Sequence, residues 1–230
     1  MENSVLIKTE NLVKKFPIGG GFFTALKDIN LNFKKSEFTG IVGPSGSGKT
    51  TLLNIIGSLD VPSEGSAIVM DKAVENLSQK AAANLRNKYI GFIFQTFNLL
   101  PVYTVFENVE FPLLLQDYSA GERKKMVMQA LDWVKLTDKE KSRPAQLSGG
   151  ECQRVAVARA MVKQPQIVLA DEPTANLDAK NSHNILQTME ELNRELQTTF
   201  IFATHDDKVI NYLRRKISLE DGQVANDEIL

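Results

Sequence analysis

The chain has 230 residues, 27 of them basic and 28 acidic, and 43% are hydrophobic. That length suits one substantial domain or one core with an inserted subdomain, and the near-balance of charge gives no general argument for nucleic acid as a partner. A single cysteine, Cys152, excludes an internal disulfide and gives no support to a metal site. No apolar run approaches the roughly 20 residues that span a bilayer.

The opening stretch, MENSVLIKTENL, lacks a charged leader followed by an apolar core and is not read as a signal peptide. The first forty residues predict antiparallel sheet. In DINLNF, Ile29, Leu31 and Phe33 alternate with Asp28, Asn30 and Asn32, the period of a half-buried strand. From residue 38 the pattern changes. FTGIVG, YIGFIF, QIVLAD and TFIFAT are short and unalternated, as strands covered on both faces should be. Helical stretches separate them, which predicts a mainly parallel α/β sheet.

After the first of these strands comes GPSGSGKTT, Gly43 to Thr51, which matches G-x-x-x-x-G-K-[ST] and leads into the helical TLLNIIGSL. Glycines let backbone N–H groups close around phosphate, and the following helix N-terminus adds favourable partial charge. Gly43, Pro44, Ser45, Gly46, Ser47, Gly48, Lys49, Thr50 and Thr51 are therefore the expected contacts of a nucleoside triphosphate. Lys49 is expected to reach the β- and γ-phosphates and Thr50 to ligate Mg²⁺. The alternative is a glycine-rich turn with no ligand, which the strand–loop–helix context disfavours.

Gln95 follows YIGFIF and is expected at the carboxyl edge of the sheet, where it could coordinate Mg²⁺ or the attacking water. Residues 96–150 read as helical throughout. TVFENVEFPLLLQ predicts one helix, and SAGERKKMVMQALDWVKL another, with Met126, Ala130, Trp133 and Val134 near one face. Arg123, Lys124 and Lys125 read as a solvated helix face.

LSGGE, residues 147–151, then opens the helical CQRVAVARAMVKQ. Ser148 has the chemistry of an N-cap and Glu151 stands three residues on, the spacing of a capping box. A capping box leaves Gly149 and Gly150 unexplained, because better helix formers exist. Glycines there would let an anion approach exposed backbone N–H groups. With neither a lysine nor a metal ligand, this second cradle could only cover a phosphate held elsewhere. IVLADEP follows at 167–173. Asp171 is placed to hold Mg²⁺ through water, and Glu172 to orient and deprotonate the attacking water. His205 ends TFIFAT at the same sheet edge, where it could bond the γ-phosphate or simply cap the strand. His183 has no such company and reads as a surface residue. KISLEDGQVA predicts a terminal hairpin turning at Asp221-Gly222.

The P-loop, Gln95, LSGGE, LADEP and His205 together, in this order across almost the whole chain, resemble the ATP-binding cassette ATPases. The resemblance implies one nucleotide-binding domain over 1–230: a P-loop NTPase core of about 1–95 and 155–230 with a mainly parallel sheet and an N-terminal antiparallel β subdomain, and an α-helical subdomain of about 96–154. It implies an ATPase using ATP and Mg²⁺, with Thr50, Gln95 and Asp171 toward the metal and Glu172, His205 and Gln95 toward the chemistry. It also implies a head-to-tail homodimer in which Ser148, Gly149, Gly150 and Glu151 of one subunit close on the ATP of the other. Asp178, in the sequence NLD, lies in a loop that crosses this interface, and Phe16 stands where an aromatic packs on adenine, with Phe22 or Phe23 as substitutes. The signature reads ECQ where many members have glutamines. A folded-back Glu151 is compatible with a nearby phosphate, and Cys152 reads as a packed helix residue.

GFIFQTFNLLP, TVFENVEFPLLL, LADEPTANLDAKNS and LEDGQV resemble the ATPase subunits of bacterial lipoprotein-releasing transporters and their macrolide- and peptide-exporting relatives. Similar sequences also serve a cell-division signalling pair. This branch implies a peripheral subunit on the cytoplasmic face of the inner membrane, bound to separately encoded permease subunits, without nucleic acid. A groove near Gln95, Phe97 and Leu99 would receive the permease. Other classes fit less well. A P-loop kinase has no use for LSGGE, a chromosome ATPase carries a long coiled coil, and translation-factor cassettes pair two units in one chain. A binding module that only switches on ATP is not expected to carry Glu172.

Overall fold

The computed structural model describes residues 4–230, so the first three residues of the opening stretch lie outside it. Strands β1 (Val5–Ile18) and β2 (Gly21–Lys34) form a long antiparallel hairpin. On β2 the expected alternation holds: Ile29, Leu31 and Phe33 are buried, and Asp28, Asn30 and Asn32 are exposed. β3 (Phe38–Val42) leads through the glycine-rich loop into α1 (Lys49–Ile56), and β4 (Glu64–Val69) and β5 (Lys72–Ala73) return to the hairpin sheet. The order of that four-stranded sheet is β2-β1-β4-β5.

Next come α2 (Gln79–Tyr89), β6 (Ile90–Ile93), α3 (Val105–Glu110), α4 (Ala120–Trp133) and α5 (Gly149–Met161). The chain closes with β7 (Ile167–Asp171), α6 (Ala179–Leu196), β8 (Thr199–Thr204), α7 (Asp207–Ile210), β9 (Arg215–Glu220) and β10 (Gln223–Ile229). The second sheet runs β10-β9-β3-β8-β7-β6, with every neighbouring pair parallel except the terminal hairpin β9-β10.

The unalternated strands are buried because each face of this sheet has its own core. On β7 and β8, Val168, Ala170, Phe200 and Phe202 join the apolar cluster shared with α3 to α6. Their neighbours Ile167, Leu169, Ile201 and Ala203 face the cluster shared with α1, α2 and the hairpin sheet. Successive strand residues point to opposite faces, so a strand between two layers must be apolar at every position.

The helical segment departs from expectation in detail. Pro112 sits in the stretch read as one helix over TVFENVEFPLLLQ, and the α-helix stops at Glu110 and continues as a 3₁₀ turn over Phe111–Leu115. Proline has no N–H for the α ladder and clashes with the preceding turn. On α4 the buried face is Val127, Ala130 and Leu131, with Val134 just beyond the helix, while Met126 and Trp133 sit at its edges. Arg123 is folded inward, its Nε 2.8 Å from Glu110 Oε1, so only Lys124 and Lys125 of that basic run are exposed.

Candidate active site

The loop after β3 is shaped by its glycines. Gly46 and Gly48 have φ of +81° and +105°, a region that costs other residues strain. At Gly43 a Cβ would lie 2.1 Å from the Leu219 carbonyl oxygen, and at Gly48 it would lie 2.8 Å from that of Ala25. The terminal hairpin therefore packs directly on the loop. Its turn residues Asp221 and Gly222 both have positive φ, the I′ geometry of Asp-Gly hairpins. The Gly222 N–H donates to Ser47 O at 3.1 Å, and Lys27 N–H donates to Gly222 O at 2.7 Å. Ser47 Oγ is buried without a hydrogen-bond partner among the described residues.

Lys49 opens α1, and its Nζ donates to the carbonyls of Gly43 at 2.8 Å and Pro44 at 2.9 Å. An ammonium has three donors, so one remains for a ligand in the loop. Thr50 Oγ1 donates to the two Asp171 carboxylate oxygens at 3.2 and 3.0 Å. Burial raises the Asp171 carboxyl above its usual range. The Thr50 hydrogen bond opposes this, neighbouring Glu172 adds to it, and Lys49 opposes it.

A cleft of 530 Å³ brings these groups together with residues far away in the chain. Ser45, Gly46, Gly48, Lys49, Thr50 and Thr51 form one wall, and Gln95, Asp171, Glu172 and His205 form another. Phe16 and Phe23 line a further part of it. They are direct cross-strand partners on β1 and β2, so both rings stand on one face. Phe22 is not among the lining residues, and Lys14 Nζ sits 5.1 Å from the Phe16 ring centroid. Gln95 lies two residues beyond the end of β6 rather than at the strand end, and its carbonyl accepts from Asn176 Nδ2 at 2.9 Å.

Glu172 follows β7 with a φ of +44°, unusual for a residue with a side chain. Its N–H donates to Ala203 O at 2.9 Å. Thr204 Oγ1 donates to Oε2 at 3.1 Å, and His205 Nδ1 lies 2.6 Å from Oε1. The carboxylate is held at both oxygens. No hydrogen bond to the imidazole Nε2 is formed among the described residues, and the His205 side chain is 64% exposed against 14% for Glu172. Among the described residues no cluster of three or more His, Cys, Asp or Glu could cage a metal. The Thr50 hydroxyl, the Asp171 carboxylate and the Gln95 amide are nevertheless hard oxygen donors, suited to a cation that keeps waters and phosphate oxygens as its other ligands.

Ser148, Gly149, Gly150, Glu151 and Asp178 do not line this cleft. Ser148 caps α5: Glu151 N–H donates to its Oγ at 3.3 Å, while Ser148 N–H and Oγ donate to Glu151 Oε2, each at 2.8 Å. Those bonds hold the Glu151 carboxyl below its usual range. The two glycines then separate. A Cβ on Gly150 would lie 2.6 Å from Asn181 Oδ1, so a side chain there would have to displace the Asn181 carboxamide. Asn181 is itself held by Asp178, which caps α6 through the Asn181 N–H at 2.9 Å and accepts Nδ2 at 2.6 Å. At Gly149 the nearest neighbours of a Cβ would be Asn176 O at 3.9 Å and the Phe97 ring at 4.0 Å. No contact closer than these calls for a glycine there among the described residues.

Cys152 is buried, with Sγ 3.7 Å from Pro144 O, and burial raises its thiol pKa. His183 is exposed and bonds the Tyr212 hydroxyl through Nδ1. The groove beside the 94–100 loop is lined by Phe94, Asn98 and Leu100 rather than by Gln95, Phe97 and Leu99. Phe97 turns toward Gly149, and Leu99 packs on the core. Sequence reasoning also missed Thr204, Asn176 and Asn181. Thr204 stands directly before His205, and Asn176 opens NLD, so proximity to a motif was the only signal for either.

Comparison with known proteins adds independent findings. The model of the family described as ABC transporter matches residues 26–175. The uncharacterized ABC transporter ATP-binding protein MJ0796 of Methanocaldococcus jannaschii is 43% identical over 229 residues, covering 98% of this chain and 97% of that protein. The lipoprotein-releasing system ATP-binding protein LolD of Francisella tularensis is 42% identical over 223 residues, covering 96% of each. Among solved structures, the dimeric post-hydrolysis state of the MJ0796 cassette bound to ADP and Pi has a TM-score of 0.90 at 42% identity, covering 97% of this chain and 98% of that one. cbiO1 of Clostridium perfringens, part of the ABC transporter complex cbiONQ, has a TM-score of 0.88 at 32% identity, covering 98% and 88%.

Proposed function

The chain belongs to the ABC transporter family as an ATP-hydrolysing, ATP-binding subunit, and from that premise we propose that it works as a head-to-tail homodimer driving separately encoded permease subunits, with lipoprotein release from the inner membrane as its task. The observation that carries the dimer is the separation of the two glycine-rich cradles. One forms the cleft with Lys49 and Glu172, and the other, at Gly149, lies outside that cleft, where a Cβ would meet only ordinary contacts, at 3.9 Å from Asn176 O and 4.0 Å from the Phe97 ring. A second copy turned by a two-fold axis places each Gly149 loop over the other subunit's nucleotide. Asp178, beside Gly150 through Asn181, then lies at the same seam.

In this reading the backbone N–H groups of 43–51 and the Lys49 ammonium hold the phosphates, and Phe16 packs on the base with Phe23 beside it. Thr50, Asp171 and Gln95 hold Mg²⁺, which when bound neutralises charge on the β- and γ-phosphates. Glu172 takes a proton from the attacking water. Thr204 and His205 fix the orientation of its carboxylate, and His205 Nε2 faces the γ-phosphate. A positioned base of this kind contributes about 10²–10⁴ in rate.

Among the described residues no helix is long and apolar enough to cross a membrane. The groove lined by Phe92, Phe94, Leu100 and Phe111 is the proposed docking site, on the cytoplasmic face of the inner membrane. Lipoprotein release is supported by the 42% identity to LolD together with the branch motifs. Affinity capture from solubilised native membranes, followed by mass spectrometry, identifies the permease. The reconstituted complex should then release lipoprotein from liposomes to a soluble acceptor only with ATP. A captured permease that moves peptide or macrolide and no lipoprotein would overturn the cargo assignment.

A further inference from the structure

The proposed docking groove encloses 380 Å³. Phe92 and Phe94 stack along one side of it, ring centroids 5.8 Å apart and planes 2° from parallel, and Leu100, Phe111 and Pro112 extend the apolar lining. Two cations, Arg159 and Lys163, also line it, and no Asp or Glu does. The cations differ in what they are used for. Arg159 donates to the carbonyls of Phe97 at 2.7 Å and Asn98 at 2.5 Å, two residues of positive φ, so its guanidinium is committed to holding that turn. Lys163 Nζ makes one bond, to Arg86 O at 2.7 Å.

An ammonium has three N–H donors, so two on Lys163 are left toward the groove. No carboxylate among the described residues pairs with it. Burial lowers its pKa to about 8, so the charge is carried against a desolvation cost with no counter-ion to offset it. A groove built only for an apolar helix gains nothing from such a group.

Resting on the docking reading above, we propose that the permease segment seated in this groove presents an Asp or Glu to Lys163, and that this pair selects the permease. The occupant is a short amphipathic helix. Its apolar residue meets Phe92 and Phe94, and its carboxylate follows three or four positions away on the same face. The carboxylate accepts the two unused Lys163 donors. The apolar contacts supply most of the affinity, and the charge pair discriminates among permeases, because an uncharged or basic residue at that position leaves the lysine buried and unpaired.

The test uses the captured permease in detergent and reads its affinity for variants of the full chain. Phe94→Asp reports on groove docking itself and should release the permease. Lys163→Met and Lys163→Glu should weaken binding by about tenfold or more, since truncating one partner of a buried pair strands the other. Lys163→Arg should remain within a few-fold of the parent. Each acidic residue of the docking segment is then changed to Lys and paired with Lys163→Glu, and one such swap should restore binding. Restoration separates a charge contact from a folding defect or the lost bond to Arg86. If Phe94→Asp releases the permease while Lys163→Met and Lys163→Glu bind like the parent, or if no swap restores binding, docking stands and the carboxylate pair is refuted. If Phe94→Asp also binds like the parent, the groove is not the docking site and both readings fall.

Discussion

Gly149→Asp separates the work of the two cradles. In the isolated chain a Cβ at this position comes no closer than 3.9 Å to any neighbour, so the fold should tolerate the new side chain. A carboxylate in the first turn of α5 is also favourable to the helix dipole, by about 0.3–1 kcal/mol. ATP affinity of the isolated subunit should stay within about twofold, because Gly149 does not line its own cleft. The cost appears when a second subunit closes. A carboxylate brought to about 4 Å from a phosphate charge meets a repulsion of about 4 kcal/mol at an effective dielectric near 20, enough to lower turnover by about 10³-fold.

Titration of a fluorescent ATP analogue measures the first quantity and phosphate release the second. Mixing with Lys49→Ala sharpens the result, since the mixed dimer contains one site with both Lys49 and Gly149 intact. With random pairing half the dimers are mixed, so activity should recover to about a quarter of the parent if sites act independently. Loss of ATP affinity in the Gly149→Asp subunit, with its circular dichroism unchanged, would place the loop beside its own nucleotide and refute the trans geometry.

Glu172→Gln keeps an acceptor for the Thr204 hydroxyl but loses the base, so hydrolysis should fall by about 10²-fold or more with ATP binding intact. Sedimentation with saturating ATP should then show dimer, and monomer alone would contradict the sandwich. Phe16→Ala should weaken ATP binding by about 1–3 kcal/mol through lost base stacking, while Phe22→Ala should leave it unchanged. Equal effects at both positions would dismiss the hairpin assignment. Ser148→Ala should cost about 1 kcal/mol of stability near neutral pH through the lost cap. The Glu151 pKa is depressed in the folded chain from its ordinary 4.5, so its contribution is present above that value and lost as pH falls through the folded pKa. The gap between parent and variant in urea unfolding should therefore begin to narrow as pH falls below that ordinary value of 4.5. A gap that stays constant down to pH 3 would discount the Glu151 half of the capping box.

Local chemistry made much of this protein legible in its sequence. The strand–GPSGSGKTT–helix unit, the alternation of DINLNF, the unalternated runs of the central sheet, the Ser148–Glu151 capping box and the Asp221-Gly222 turn all depend on neighbours within a few residues. Such features are written into spacing and residue type. Helix ends proved harder, as at Pro112, because a 3₁₀ turn and an α-helix share most of their composition. Other relationships depend on which segments the fold lays side by side. The Asn181 carboxamide, thirty-one positions later in the chain, presses against Gly150, whereas Gly149 meets nothing comparable among the described residues. Sequence alone treats the two as equivalent. Thr204 and His205 reach Glu172 only because β8 pairs in parallel with β7, setting Ala203 beside Asp171. Phe23 rather than Phe22 joins Phe16 in the cleft because the hairpin register puts it directly opposite. Lys163 meets Arg86 and the aromatic groove only because α5 runs behind β6 and beside the end of α2. Each contact joins residues distant in the chain, and pairing register and packing select it from the many that the same residue types would permit.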